Sequence, residues 1–329
     1  MILTRAPLRI SLGGGGTDLP SYYSRHGGFI LSAAIDKYVY IAVNRPSADD
    51  LIRVKYSAYE EVATPDELQH DLVRPSLKLL GIDRRVEIAS MADVPAGTGL
   101  GSSSTYLVAL MTALHELQRV PISVSELAEL AFHVEEELAG HPVGKQDHYL
   151  AAFGGITCLE IGRDGTVDTS PLDLSQAVLE ELNAQTLLFF TGISRSATSI
   201  LEQQRHDSSS SNGAVIDSLH RTKEMGLVIR DALLRGDLSQ FGALLDEHWQ
   251  NKKRRSDRIS LTEVDRWYDR AREAGAVGGK LIGAGGGGFL MVYCENGTKA
   301  DVRTALAAEG LRELSYRFDH EGAKVLVNF

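Results

Sequence analysis

Cysteine is scarce: two residues, Cys158 and Cys294, in a chain of 329. Both fall in apolar, strand-like runs, and no Cys/His pair has the spacing of a zinc site. A disulfide framework and a zinc module are therefore excluded, leaving buried reduced thiols, as in a cytoplasmic protein. Basic residues are outnumbered 34 to 44 by acidic ones, for a net charge of −10. Tracking a phosphate backbone needs clustered Lys and Arg, so nucleic acid is not an expected partner. The one dense basic run, Lys252-Lys253-Arg254-Arg255, lies in a helix-like stretch of mixed charge and reads as a solvated face. No apolar run reaches the roughly 18 residues of a membrane span. Arg5 and Arg9 interrupt the stretch where a secretory leader would need an apolar centre, so no membrane association is expected.

What is abundant is glycine, and it is concentrated. In Pro95-Ala96-Gly97-Thr98-Gly99-Leu100-Gly101-Ser102-Ser103-Ser104-Thr105 three glycines alternate and three serines follow. Leu107, Leu110, Met111 and Leu114 then recur at helical spacing, so a glycine loop feeds the first turn of a buried helix. The first N–H groups of a helix lack internal partners, and its dipole favours negative charge there. Glycines let the main chain approach a phosphate closely. The stretch is neither a Walker A loop, since no Gly-Lys-Ser/Thr ends it, nor a dinucleotide fingerprint. A Gly/Ser turn that only caps a helix remains the plain alternative.

Pro-x-x-x-Gly-Leu-Gly-Ser-Ser resembles the central motif of the GHMP small-molecule kinases. Two further stretches extend the likeness over nearly the whole chain. Pro7-Leu8-Arg9-Ile10-Ser11-Leu12, followed by Gly13-Gly14-Gly15-Gly16-Thr17-Asp18, resembles the first family motif. Lys280-Leu281-Ile282-Gly283-Ala284-Gly285-Gly286-Gly287-Gly288 resembles the third. Gly15-Gly16 stands where galactokinases carry Glu-His, which disfavours galactose. Gly-Gly-Gly-Thr-Asp-Leu-Pro is similar to the branch that phosphorylates heptose 7-phosphate, with fucokinase-like enzymes nearby.

The resemblance implies an α+β, two-domain GHMP kinase fold. Residues 1–175 would form a ribosomal-protein-S5-like N-terminal domain, and 176–329 a ferredoxin-like C-terminal domain. It implies ATP and Mg²⁺ as cofactors and a small-molecule sugar phosphate as substrate, with a homodimer left open. Pro95, Gly97, Gly99, Leu100, Gly101, Ser102, Ser103 and Ser104 would hold the nucleotide, and Ser103 with Glu135 the Mg²⁺. Asp147, in Gly144-Lys145-Gln146-Asp147, would be the base, with Arg9 beside it. Gly15, Gly16, Thr17 and Asp18 would meet the sugar, with Gly285 and Gly286 also on the substrate side. The cations for a substrate phosphate would come from Lys37, Lys145, Arg195 and Lys280.

Periodicity predicts strands over 1–12, 28–45, 51–59 and 86–91, and helices over 65–81 and 123–139. In the latter, Leu127, Leu130, Ala131, Val134 and Leu138 form the apolar stripe. Glu136 projects opposite it, and Glu135 and Glu137 flank it symmetrically. His141 and His148 read as structural or as supports behind the site residues. The pattern loosens over 165–185, and helices follow over 214–235, 238–255 and 262–274. Two readings rival a heptose-phosphate 1-kinase: another kinase of the superfamily, such as a fucokinase-like sugar 1-kinase, or an inactive sugar and nucleotide sensor.

Overall fold

The computed structural model describes residues 1–193, 213–255, 259–295 and 297–329. The first sheet is built on two long antiparallel strands, β1 (Ile2–Gly13) and β2 (Gly28–Asn44), paired from Ile2↔Val43 to Gly13↔Leu31 with register shifts after Pro7 and after Ser11. β3 (Ile52–Lys55), β4 (Tyr59–Val62) and β5 (Val86–Ala92) extend it beyond the second half of β2. β6 (Ile156–Ile161) pairs with the first half of β2, and β7 (Val167–Pro171) pairs with β6. The second sheet is antiparallel. It runs β11 (Arg312–Glu313), β8 (Thr186–Phe190), β10 (Phe289–Cys294), β9 (Ala276–Leu281).

The last strand, β12 (Lys324–Asn328), returns to the first sheet and pairs with β1. The first sheet is thus built from strands at both ends of the chain.

α1 (Pro20–His26) follows the first glycine turn, and α2 (Val73–Leu79) precedes β5. The helix expected over 65–81 is therefore two pieces, a single 3₁₀ turn at Pro65–Glu67 and then α2. α3 (Ser102–Gln118) packs on β1 and β2. Its expected stripe is fully buried, and so are Val108, Ala109 and Ala113, because the helix is sandwiched between the sheet and α5 (Gln146–Phe153).

α4 (Val124–His133) opens with a reciprocal cap between Ser123 and Glu126, as its sequence suggests. It continues into one turn of π-helix, Val134–Leu138, closed by Ala139 N–H to the Val134 carbonyl at 2.9 Å. Stretch 165–185, read as loose, holds β7 and α6 (Gln176–Gln185).

α7 (Gly213–Leu234) and α8 (Leu238–Lys253) lie where helices are expected, followed by α9 (Thr262–Glu273) and α10 (Lys299–Ala308). One core runs unbroken from the first sheet through α3 to Ile229, Phe241 and Leu245 of α7 and α8. A smaller one, including Trp267, Val302 and Leu306, fills the space between the second sheet and α9 and α10. Both cysteines are free and buried, and burial pushes each thiol up to about 11. Among the described residues no helix is long and apolar enough to cross a membrane.

Candidate active site

The three glycine stretches meet around one cavity of about 330 Å³. Gly97, Gly99 and Gly101 all have left-handed backbone, with φ of 75°, 82° and 80°. A Cβ at Gly99 would sit 2.7 Å from the Ile282 carbonyl oxygen. One at Gly101 would sit 3.1 Å from the Asp147 carboxylate, so bare main chain lines this wall. α3 begins there with no side-chain cap, leaving its first N–H groups without intrahelical acceptors. Ser102, Ser103 and Ser104 line the cavity, and the Ser102 hydroxyl is buried without a partner. An uncapped helix start, an orphan hydroxyl and a cradle that any Cβ would fill suit a polyphosphate tail.

Pro95 and Leu100 shape this loop from outside the cavity. The Pro95 carbonyl accepts from the Thr98 hydroxyl at 3.0 Å, and Leu100 is in the core. Across from Gly99, the third glycine stretch comes backbone to backbone: a Cβ at Gly283 would lie 2.7 Å from the Gly99 Cα. Gly285 and Gly286, expected on the substrate side, are turned away. The Gly286 N–H bonds the Ile259 carbonyl at 2.9 Å, and Gly285 packs on the same residue.

Asp147 is in the first turn of α5 and is held by a two-pronged pair: Arg9 Nε donates to Oδ1 at 2.7 Å and Nη2 to Oδ2 at 2.8 Å. The third prong, Arg9 Nη1, donates to the Gly99 carbonyl at 2.6 Å. One guanidinium therefore fixes the carboxylate relative to the glycine loop. Gln146 Nε2 adds a bond to Asp147 at 3.0 Å, its Oε1 accepts from Ser11 at 3.0 Å, and its N–H reaches Asp18 at 3.1 Å. Burial raises the Asp18 carboxyl; the Gln146 amide opposes the shift and the Asp147 charge adds to it.

Of the three consecutive glutamates, Glu135 faces inward and is 1% exposed. It accepts from Ser103 at 2.5 Å and Ser104 at 2.7 Å, and lies 2.7 Å from His148 Nε2. Burial pushes its carboxyl up, but the His141 and His148 imidazoles and the Ser103 hydroxyl outweigh burial and hold it well below the usual range. His141 in turn is raised, chiefly by Glu135 and, after opposing desolvation, by Asp71. Among the described residues no three His, Cys, Asp or Glu side chains could hold a metal by themselves. Ser103 and Glu135 are nonetheless hard oxygen donors of the kind Mg²⁺ takes alongside phosphate oxygens.

Of the residues expected to meet a sugar, Gly15, Gly16 and Asp18 line the cavity. Thr17 does not; its hydroxyl braces the turn against the Gly14 and Phe29 carbonyls at 2.8 and 2.9 Å. Of the expected cations among the described residues, only Lys280 reaches the cavity. Lys37 pairs with its neighbour Asp36 at 2.8 Å. Lys145 is buried against Glu129 at 2.5 Å, over the Phe132 ring. Arg195 lies outside the described residues.

The reading of 252–255 as a solvated face is overturned: Lys252 and Arg255 are buried and line the cavity, with His248. Only Arg254 is exposed, while Lys253 pairs with Asp265 at 3.1 Å. The signal was available. Leu245, His248, Trp249 and Lys252 fall at i, i+3, i+4 and i+7, so Lys252 continues the buried stripe of α8 and Arg255 follows three residues on.

Known proteins match the two halves of the chain. The GHMP kinases N terminal domain matches residues 70–155, and the GHMP kinases C terminal matches 229–311. A Campylobacter jejuni D-glycero-alpha-D-manno-heptose 7-phosphate kinase is 31% identical over 98% of both chains. The crystal structure of a Bacteroides thetaiotaomicron D-glycero-D-manno-heptose 1-phosphate kinase superposes with a TM-score of 0.83 at 28% identity, covering 100% of both chains. A galactokinase of Thermococcus kodakarensis is 28% identical over 89% of each chain. A glycine-lined helix start facing a locked carboxylate is thus set in a chain related to sugar kinases along nearly its full length. The chain belongs to the GHMP kinases, phosphotransferases that act on an alcohol group.

Proposed function

We propose that this chain transfers the γ-phosphoryl group of ATP to the anomeric C1 hydroxyl of D-glycero-D-manno-heptose 7-phosphate, giving the 1,7-bisphosphate, in the cytoplasm. The observation that carries the reading is the Arg9 fork on Asp147, tied to Gly99 of the loop that suits the phosphates. The heptose is supported by the two heptose-phosphate kinases above, whose names place the phosphate at different positions.

Main-chain amides of 97–104 would hold the nucleotide's phosphates, and Ser103 and Glu135 would hold Mg²⁺, which neutralises phosphate charge when bound. Asp147 takes the proton as the acceptor O–H breaks, while the oxygen bonds the γ-phosphorus and ADP leaves with the bridging oxygen. Arg9 keeps that carboxylate aimed. An anomeric hydroxyl is more acidic than an ordinary alcohol, which suits a carboxylate base. Asp18 and the first glycine turn would orient the sugar.

The test is incubation with ATP, Mg²⁺ and heptose 7-phosphate, followed by phosphorus NMR. A new resonance coupled to the anomeric proton is expected, and Asp147→Asn is expected to lower kcat by roughly 10²- to 10⁴-fold. Phosphorylation at another oxygen would displace C1 as the site. Equal turnover by the variant would remove Asp147 as base.

A further inference from the structure

Resting on that reading, we infer that Arg255, Lys280 and Lys252 form the seat for the phosphate that the acceptor sugar already carries. All three are buried, at 8%, 2% and 7% exposure, and all line the catalytic cavity. Among the described residues none pairs with a carboxylate. The positive charges that act on Lys252 are those of Arg255 and Arg9, and on Lys280 those of Lys252, Arg9 and Arg255. Burial first, and this mutual repulsion second, lower both amines, Lys252 to about 7. Like charges gathered out of water are strongly unfavourable unless an anion joins them.

Their placement separates this seat from the nucleotide's. Lys280 donates to the Leu12 carbonyl at 3.1 Å, and Arg255 Nη1 lies 3.5 Å from the Gly15 carbonyl, so both flank the first glycine turn, beside Asp18. Lys252 bonds carbonyls of the third glycine stretch, at Leu281 and Gly283, closing the wall between them. The Arg255 guanidinium is oriented by the Ser218 and Thr222 hydroxyls rather than by an acid. On the same wall His248 is 2% exposed, with neither ring nitrogen partnered among the described residues. Burial, then Lys280, Arg255 and Lys252, keep it neutral. A dianionic phosphate supplies the charge and acceptors this wall lacks. The galactokinase-type Glu-His pair would put a carboxylate on the turn these cations flank, where Gly15 and Gly16 leave room.

The experiment compares heptose 7-phosphate with unphosphorylated heptose at saturating ATP, in wild type, Lys280→Met and Arg255→Lys. Wild type is expected to favour the phosphorylated sugar. Each variant is expected to cut that preference, as a ratio of kcat/KM, by about tenfold or more, the worth of one hydrogen bond to a charged group. A wild type that favours the unphosphorylated sugar removes the functional reading and the seat with it. A wild type that favours the phosphorylated sugar, with both variants keeping its preference, overturns the seat alone. If one variant does not fold by circular dichroism, the other decides. If neither folds, the cations belong to the fold and the seat is overturned.

Discussion

The Arg9 guanidinium divides its N–H groups between two partners, the Asp147 carboxylate and the Gly99 carbonyl. A lysine could keep the charge but not the fork. Arg9→Lys should therefore release the base from its angle to the phosphate loop. Losing one charge-assisted bond of about 1.5–3 kcal/mol corresponds to roughly a 10- to 150-fold fall in kcat. Steady-state kinetics at saturating ATP and sugar check this, and a kcat within twofold of wild type would show that the orientation is immaterial. Arg9, Asp18 and Asp147, which line the cavity, stand beside glycine or proline signals that are themselves local, whereas the choice of Glu135 among three glutamates came from the family resemblance. Of the cavity-lining cations Lys280 was among those expected, but Lys252 and Arg255 were not, because the surroundings of a lysine or arginine are three-dimensional. Lys37 and Lys145 are answered by Asp36 and Glu129, whereas Lys252 is answered by nothing acidic among the described residues.

An element can mislead in the same way when its period changes. Ideal helical spacing puts Leu138 on the buried stripe of the helix that begins as α4 and makes Glu135 and Glu137 equivalent. The π-turn at Val134–Leu138 adds a residue to one turn, so everything after Val134 falls out of step. Leu138 is consequently 46% exposed, and Glu137 stands in solvent near His133 while Glu135 stays buried. The contrast is measurable. Leu138→Ser should change unfolding free energy by no more than about 0.5 kcal/mol in urea denaturation, as at an ordinary surface position. Truncating a leucine in an unbroken buried stripe would cost about 2–5 kcal/mol. A loss in that higher range would return Leu138 to the core and the helix to regular spacing. No composition rule announces a π-turn; the Ser123/Glu126 cap at the other end is local and could be read directly.

Across the whole molecule, the first sheet and α3 supply one wall of the cavity, and α8 with the second sheet supplies the wall that carries the cations. Joining those walls in one continuous core brings charges together that the chain keeps far apart in sequence, and pH should expose the strain. Lys252 titrates near 7 in the folded chain against an ordinary 10.5, with burial, Arg255 and Arg9 as the causes. Between those values the unfolded chain binds a proton that the folded chain does not, so this group makes stability rise with pH. Below about 7 both states are protonated and the full penalty of the buried charge remains. Lys280 and His248, lowered for the same reasons, act in the same direction, each up to its ordinary value. Removing the amine should therefore help most where it is charged. The ligand-free Lys252→Met variant should exceed wild type in Tm at about pH 6.5, and the gap should narrow by about pH 9. Comparing the two proteins at each pH cancels the repulsion from the net charge of −10, which acts on both. Adding heptose 7-phosphate at the lower pH should raise the wild-type Tm more than the variant's, because a bound anion holds the proton on the amine. Differential scanning calorimetry at the two pH values, with and without the sugar phosphate, decides the matter. A Tm gap that does not change with pH would mean that Lys252 already has its counter-charge in the free protein.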